Sequence, residues 1–332
     1  MNEFESTIEK HINILLSEMK KCRSKKKYIE LVSIFYIIDE IINNLDLFIN
    51  YKEDFQYELS KFNTEKYDKN YDSMFLNNYN AMFNYNFELS SLYENLPINK
   101  LNVTVYKDYI ELKDTIKMVQ SFFEYYDKDL LNYFNEQVLA NGLLILTDKV
   151  EGGQTYLSNY ILPPYSFVNP KLCAKDYITI IHESAHNYIR SRLRYINYDQ
   201  LNQMLVNNLE EVYPIFLELC AIKFANNNNL LRDLSKYEQA MSSSLYTYLE
   251  NYNINLLNNE ITNYVINESY AYGFMLAFHY YDLYNINPEE TKNKVLKLSL
   301  DLPYHNKEYL LNNYGINQID ILNIPKSLNN IK

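Results

Sequence analysis

Apolar residues recur at Ile8, Ile12, Leu15 and Met19, the spacing of one helix face, and residues 1–96 contain no proline or glycine to interrupt such a pattern. The stretch reads as several long helices. Its most apolar part, Tyr28 to Ile49, carries Glu30, Asp39, Glu40 and Asp46, which marks a buried helix and not a membrane span. After Pro97 the alternation Leu101-Asn102-Val103-Thr104-Val105 is ambiguous. Helix is expected to resume near Asp108 and to run through the aromatic stretch from Phe122 to Phe134, whose rings read as core.

Three of the five glycines then fall at Gly142, Gly152 and Gly153, bracketing Leu143-Leu144-Ile145-Leu146 and Gln154-Thr155-Tyr156-Leu157. A strand, a glycine turn and a second strand are the natural reading. Pro163-Pro164 closes that unit, and Tyr165-Ser166-Phe167-Val168 offers one more short strand before Pro170. From Asp176, a suitable N-cap, the residues Tyr177-Ile178-Thr179-Ile180-Ile181 begin an apolar stripe that Tyr188, Ile189 and Leu193 continue. No proline or glycine occurs between 171 and 213, so a long helix follows the small sheet.

Composition narrows the partners. Lys and Arg number 31 against 42 Asp and Glu, a net charge of -11, which opposes nucleic acid or an anionic membrane as the main partner. The basic run Lys20, Lys21, Arg23, Lys25, Lys26, Lys27 is the local exception and fits a solvated helix end. Cys22, Cys173 and Cys220 are odd in number and widely spaced, which argues for a reducing compartment over a disulfide framework. The N-terminus Met1-Asn2-Glu3-Phe4-Glu5 is not a Sec signal peptide, so a cytoplasmic protein is expected, with leaderless export still open. With 332 residues the chain exceeds the usual single-core size, and two lobes are expected with the site between them.

The chemistry lies in His182-Glu183-Ser184-Ala185-His186. On a helix, residues four apart share a face, so His182 and His186 can both reach one metal ion. Glu183 projects to the side, where a carboxylate can take a proton from an attacking water. A tetrahedral zinc site needs one further protein ligand and an open position. The thermolysin-type pattern would place a Glu where Leu205 stands, and the metzincin pattern needs Gly and His where Ile189 and Arg192 stand. Both are excluded, leaving Glu210, Glu211 and Glu218 as carboxylates within reach in sequence.

With these segments the chain resembles the oligoendopeptidase F and thimet oligopeptidase family of zinc peptidases. The resemblance rests on four blocks in the family's order: Gly152-Gly153-Gln154-Thr155-Tyr156 with Pro164 to Asn169, the His182 to His186 motif, Glu211 to Glu218, and Ser269-Tyr270-Ala271-Tyr272-Gly273-Phe274. It covers roughly residues 142–315. The chain departs from the family in having Ala185 before the second His, in having Pro214 between Glu211 and Glu218, and in being shorter than typical members.

The resemblance implies a mainly α, two-lobed, zincin-type metallopeptidase with a small sheet beside the motif helix. The N-terminal helical lobe would span 1–135 and the catalytic region 136–332. One Zn2+ per chain would be held by His182, His186 and Glu211, with Glu218 steadying a ligand and Glu210 left on the surface. Glu183 would act as general base and then acid in zinc-dependent endopeptidase chemistry. Tyr270, with Tyr272 second, would assist at the substrate carbonyl. Gly153, Gln154, Thr155 and Tyr156 would bind an extended peptide along an edge strand, although a merely structural hairpin explains the pattern equally well. His279 and His305 read as structural, and Tyr264, Tyr270, Tyr280, Tyr281 and Tyr284 as packing for one helix. A specialised protease acting on one protein and a non-catalytic helical binding protein are the alternatives.

Overall fold

In a computed structural model of the chain, the described residues are 109–314, with gaps at 147, 149, 156–162, 197–199, 201–202, 205–206, 232–234 and 259–260, plus positions 9, 13, 16, 17, 53 and 57. The helices expected over 1–96, the alternation at 101–105, the basic run, Cys22 and the candidate Tyr156 therefore lie outside the described residues, apart from those six positions.

The first described helix, α1 (Leu112–Tyr126), ends earlier than the apolar pattern suggests. Asp127 adopts an extended backbone, and its carboxylate accepts from the N–H groups of Asp129 and Leu130, starting α2 (Lys128–Tyr133). The N-capping side chain thus divides what reads in sequence as one helix. A π-helical turn over Phe134–Leu139 then leads towards the sheet. Phe122, Phe123, Phe134 and Val138 are fully buried in the main core, so the aromatic stretch packs as core.

Strands β1 (Leu144–Leu146), β2 (Gly153–Thr155) and β3 (Ser166–Val168) form one sheet in the order β1-β3-β2. The hairpin expected between the first two strands does not form. Instead β3 lies between them, parallel to β1 and antiparallel to β2, with Thr155 opposite Ser166 and Gly153 opposite Val168. Three buried residues in β3 explain the central position, since a middle strand covered on both faces reads as a continuous apolar run. Among the described strands β2 is at the sheet edge, and it packs on the next helix.

That helix, α3 (Ala174–Arg192), begins two residues before Asp176, with Cys173 as its N-cap. Asp176 is not the N-cap but the third helical residue, where its carboxylate accepts from the backbone N–H groups of Lys171, Leu172 and Cys173. The bond from Cys173 is the return half of a capping box, and the other two tie the preceding loop to the helix start. Helix α4 (Val212–Asn227) is apolar on nearly all sides and packs between α3 and α6 (Ile261–Tyr284). Pro214 sits in the first turn of α4, where its missing N–H costs nothing. Helices α5 (Ser235–Asn258), α7 (Pro288–Asp301) and α8 (Lys307–Asn313) complete the described fold.

The architecture is mainly helical with a small sheet beside the motif helix, as the sequence analysis anticipated. No described helix is long and apolar enough to cross a membrane. Cys173 and Cys220 are not disulfide-bonded.

Candidate metal centre and catalytic pocket

Buried Tyr177, Ile180, Ile181, Ala185 and Tyr188 hold one side of α3 in the core, which turns His182 and His186 towards a pocket of 410 Å³. The two Nε2 atoms lie 3.2 Å apart. Glu211, the residue that caps α4, closes the group: its Oε2 is 3.2 Å from His182 Nε2 and its Oε1 is 3.4 Å from His186 Nε2. Ligand atoms of His182, His186 and Glu211 all fall within 4.8 Å of one another.

These residues fit a metal ion. Two imidazole nitrogens and a carboxylate point at one another, and Oε2 of Glu211 is buried with no hydrogen bond. A buried carboxylate oxygen without a donor is costly unless something positive is nearby. On the far side of His182, Nδ1 lies 2.5 Å from Oε1 of Glu218. With Nδ1–H donating to that carboxylate, the Nε2 lone pair is turned towards His186 and Glu211. The seven-residue step from Glu211 to Glu218 thus brings both carboxylates to one imidazole, from opposite sides.

The electrostatics are those of a crowded, poorly solvated cluster. Burial by itself would raise the pKa of Glu211, but His186 and His182 outweigh it and hold the carboxyl well below the usual range. Burial would lower that of His182, and Glu211 with Glu218 raise it instead. Burial raises that of Glu218, partly opposed by His182 and reinforced by Glu211 and Glu183. Glu210 does not sit free at the surface. Its Oε2 accepts from Arg190 Nη2 at 3.1 Å, so neighbouring carboxylates take opposite directions, one to Arg190 and one to the histidines.

Glu183 meets the sheet. Thr155 Oγ1 donates to its Oε2 at 2.6 Å, which leaves Ser166 Oγ, 3.2 Å from the main-chain oxygen of Glu183, to donate to Thr155 Oγ1. The two hydroxyls are 2.8 Å apart across the β2–β3 register, and Asn187 Nδ2 donates to Ser166 Oγ at 3.0 Å. Tyr133 OH in turn donates to Asn187 Oδ1 at 2.6 Å. This chain of hydrogen bonds runs from the carboxylate into the body of the fold.

The adjacent glycines serve different needs. Gly152 has φ +81°, a left-handed conformation in the turn before β2, with open space where a Cβ would be. Gly153 needs no special φ, but a Cβ there would lie 2.5 Å from Oε1 and 2.6 Å from Cγ of Glu183. Gly273 plays a similar part on α6, where a Cβ would fall 2.6 Å from Cβ of Glu211.

Of the tyrosines, Tyr270 lines the pocket, stacked at 4.6 Å between centroids on Tyr248 of α5. Glu211 nearby, and then burial, push its phenol far above the usual range and keep it a proton donor. Tyr272 does not line the pocket; it is buried, with Lys307 Nζ 3.6 Å from its ring centroid. A step of two residues places the rings on opposite sides of α6. Gly153, Gln154 and Thr155 line the pocket. His279 packs against Tyr280 and His305 against Tyr309, and neither lines it. Tyr280, Tyr281 and Tyr284 are buried packing residues.

Several residues of the site carry no sequence signal of their own. Asn208 takes a φ of +54° in the turn before Glu211, its Nδ2 donating to the fully buried Glu268 at 2.9 Å. Asn207 Nδ2 donates to the main-chain oxygens of Leu302 and His305. Together they fix the approach to the third member of the cluster. An Asn-Asn pair before a helix is a turn signal. Its partners, 60 and 95 residues on, could not be read from it. Arg190 follows His186 by four residues, a spacing that places it on the same face.

No family model and no curated protein matches the sequence. Two solved structures do resemble the fold. A candidate oligoendopeptidase F from Bacillus anthracis str. Ames has a TM-score of 0.51 at 16% identity, covering 91% of this chain and 62% of that one. A candidate peptidase from Chlamydophila abortus has a TM-score of 0.49 at 12% identity, covering 95% and 62%. This chain thus spans less than two thirds of the length of either structure.

Proposed function

We propose that this protein is a zinc-dependent endopeptidase that hydrolyses peptide bonds, with one zinc ion per chain. The observation that carries the reading is the convergence of His182, His186 and Glu211 on one pocket, with Glu183 beside them at an edge strand. Two imidazoles and a carboxylate are a donor set that suits zinc and leaves a position open. The fold likeness to a candidate oligoendopeptidase F agrees with it.

When bound, zinc supplies Lewis acidity, activating water and polarising the scissile carbonyl. His182, His186 and Glu211 hold it, and Glu218 steadies the ring of His182. Glu183, braced by Thr155, takes the proton of the attacking water and passes it to the leaving nitrogen. Tyr270 donates from its protonated phenol to the oxygen that becomes negative as the carbonyl is attacked. An extended peptide pairs with the edge of β2, so backbone recognition tolerates many sequences. A peptide is the partner; nucleic acid and membranes are not.

The test is metal analysis of the full chain purified without chelator, joined to a peptide-cleavage assay on wild type and Glu183→Gln. The expected result is one zinc in each protein and turnover in wild type alone. Absence of stoichiometric zinc, or equal cleavage by both proteins, overturns the reading.

A further inference from the structure

Helix α3 carries two pairs of residues four apart, one position out of step with each other. His182 and His186 face the metal centre, and Glu183 and Asn187 face the sheet. Asn187 is fully buried, and its partners fix which way its amide points. Pro164 O, an acceptor alone, lies 3.0 Å from Nδ2, and Tyr133 OH donates to Oδ1 at 2.6 Å. The second proton of Nδ2 is therefore aimed at Ser166 Oγ, 3.0 Å away. Ser166 in turn gives its own proton to Thr155 Oγ1, at 2.8 Å, and Thr155 sends its single proton to Glu183 Oε2, at 2.6 Å. Every proton in the chain points the same way, from Tyr133 to the carboxylate, and hydrogen bonds so aligned polarise and strengthen one another.

We propose that Asn187, acting through Ser166 and Thr155, is a positioning residue for Glu183: it commits Oε2 to Thr155 and leaves Oε1 as the oxygen that takes the proton of the attacking water. Oε1 is the oxygen over Gly153, a residue of the pocket wall whose missing side chain leaves room for it. Without Asn187 the order is lost. Ser166 can then accept from Thr155 and donate to the main-chain oxygen of Glu183, 3.2 Å away, so that the Thr155 proton leaves the carboxylate. A carboxylate no longer held at one oxygen turns about its own axis, and the reacting oxygen is not presented in a fixed direction. The inference rests on the peptidase reading of the same pocket and adds to it which oxygen of the base reacts and what holds it there.

The test is steady-state peptide cleavage per folded molecule on the zinc-loaded full chain, with zinc content and thermal midpoint recorded for each variant. Thr155→Val keeps the branched shape and removes the hydroxyl; kcat should fall about tenfold or more with KM within about twofold of wild type. Thr155→Ser returns the hydroxyl and should recover most of that loss. Asn187→Leu removes the amide at similar volume and should lower kcat by about threefold to tenfold in the wild-type background. Added to Thr155→Val it should cost nothing further in kcat, because the proton it directs is already gone. Should Asn187→Leu fail to fold, Ser166→Ala breaks the chain one step later and should show the same coupling to Thr155→Val. Normal kcat in Thr155→Val, a loss that Thr155→Ser does not recover, or an equal factor for Asn187→Leu in both backgrounds overturns the proposal. A lowered thermal midpoint with unchanged kcat does so too, and would make the chain a tie between sheet and helix. Absence of cleavage by wild type would sink the peptidase reading and this role with it, whereas normal turnover in the variants of an active wild type would sink this inference alone.

Discussion

Replacing Gly153 by Ala tests how tightly the sheet sets the candidate base. The added methyl would stand 2.5, 2.6 and 2.8 Å from Oε1, Cγ and Cδ of Glu183, separations that side chains do not tolerate. Because Cγ is among them, swinging the carboxylate tip is not enough. The side chain must leave its rotamer, and the 2.6 Å bond from Thr155 goes with it. A hydrogen bond to a charged acceptor contributes about 1.5–3 kcal/mol, but a displaced Glu183 can regain water at the pocket. Alanine also restricts the unfolded chain, offsetting about 0.4–1 kcal/mol. Net stability should therefore fall by no more than about 2 kcal/mol, while turnover drops roughly a hundredfold or more through loss of the positioned base. Zinc content should be unchanged, since Glu183 is not among the three converging ligand residues. Gly152→Ala is the control: it is strained at φ +81° but meets nothing within 4 Å, so it should lower the thermal midpoint and leave turnover within about threefold. Peptide turnover, zinc content and thermal midpoint are measured on both variants. Near-normal turnover in Gly153→Ala would refute the idea that close packing of β2 against Glu183 positions the base.

Two further predictions address the metal and the phenol. Glu211→Gln should sharply weaken zinc binding, Glu218→Gln should weaken it mildly through His182, and Glu210→Gln should do little; Gly273→Ala, which crowds Glu211 from α6, should fall between the first two. Zinc competition with a chromogenic chelator orders the four, and release of metal by Glu210→Gln alone would contradict the assignment. Tyr270→Phe should lower turnover by roughly a hundredfold with little change in peptide affinity, and its stacking on Tyr248 should survive because only the hydroxyl is removed. Tyr272→Phe should affect thermal stability in preference to turnover, given its burial under Lys307; the reverse pattern in steady-state kinetics would exchange the two roles.

The local code of this chain specified helix α3 and the placement of His182, Glu183 and His186 on it, because a 3.6-residue period converts sequence spacing directly into shared faces. The choice of Glu211 with Glu218 came from the family resemblance, and the helical period adds only that a seven-residue step returns to one face. The small sheet was visible as three apolar runs between glycines and prolines, but its order was not. Strand pairing is a long-range choice: β3 displaced the expected hairpin because its three buried residues belong in the middle of the sheet. Residues near a helix start misled because a carboxylate there can cap forwards or reach back: Asp127 accepts from the N–H groups of Asp129 and Leu130, and Asp176 from those of Lys171, Leu172 and Cys173. Nothing in the sequence joins Gly153 to Glu183, Gly273 to Glu211, or Asn208 to Glu268. Those are contacts between elements that meet only after packing, and the absence of a side chain leaves no periodic trace of what it makes room for. The sequence by itself thus determined which chemical groups share a helix face, since that is local geometry. Tertiary structure alone decided which carboxylate faces the histidines and which faces Arg190, because that depends on how α4 and its preceding turn dock on α3.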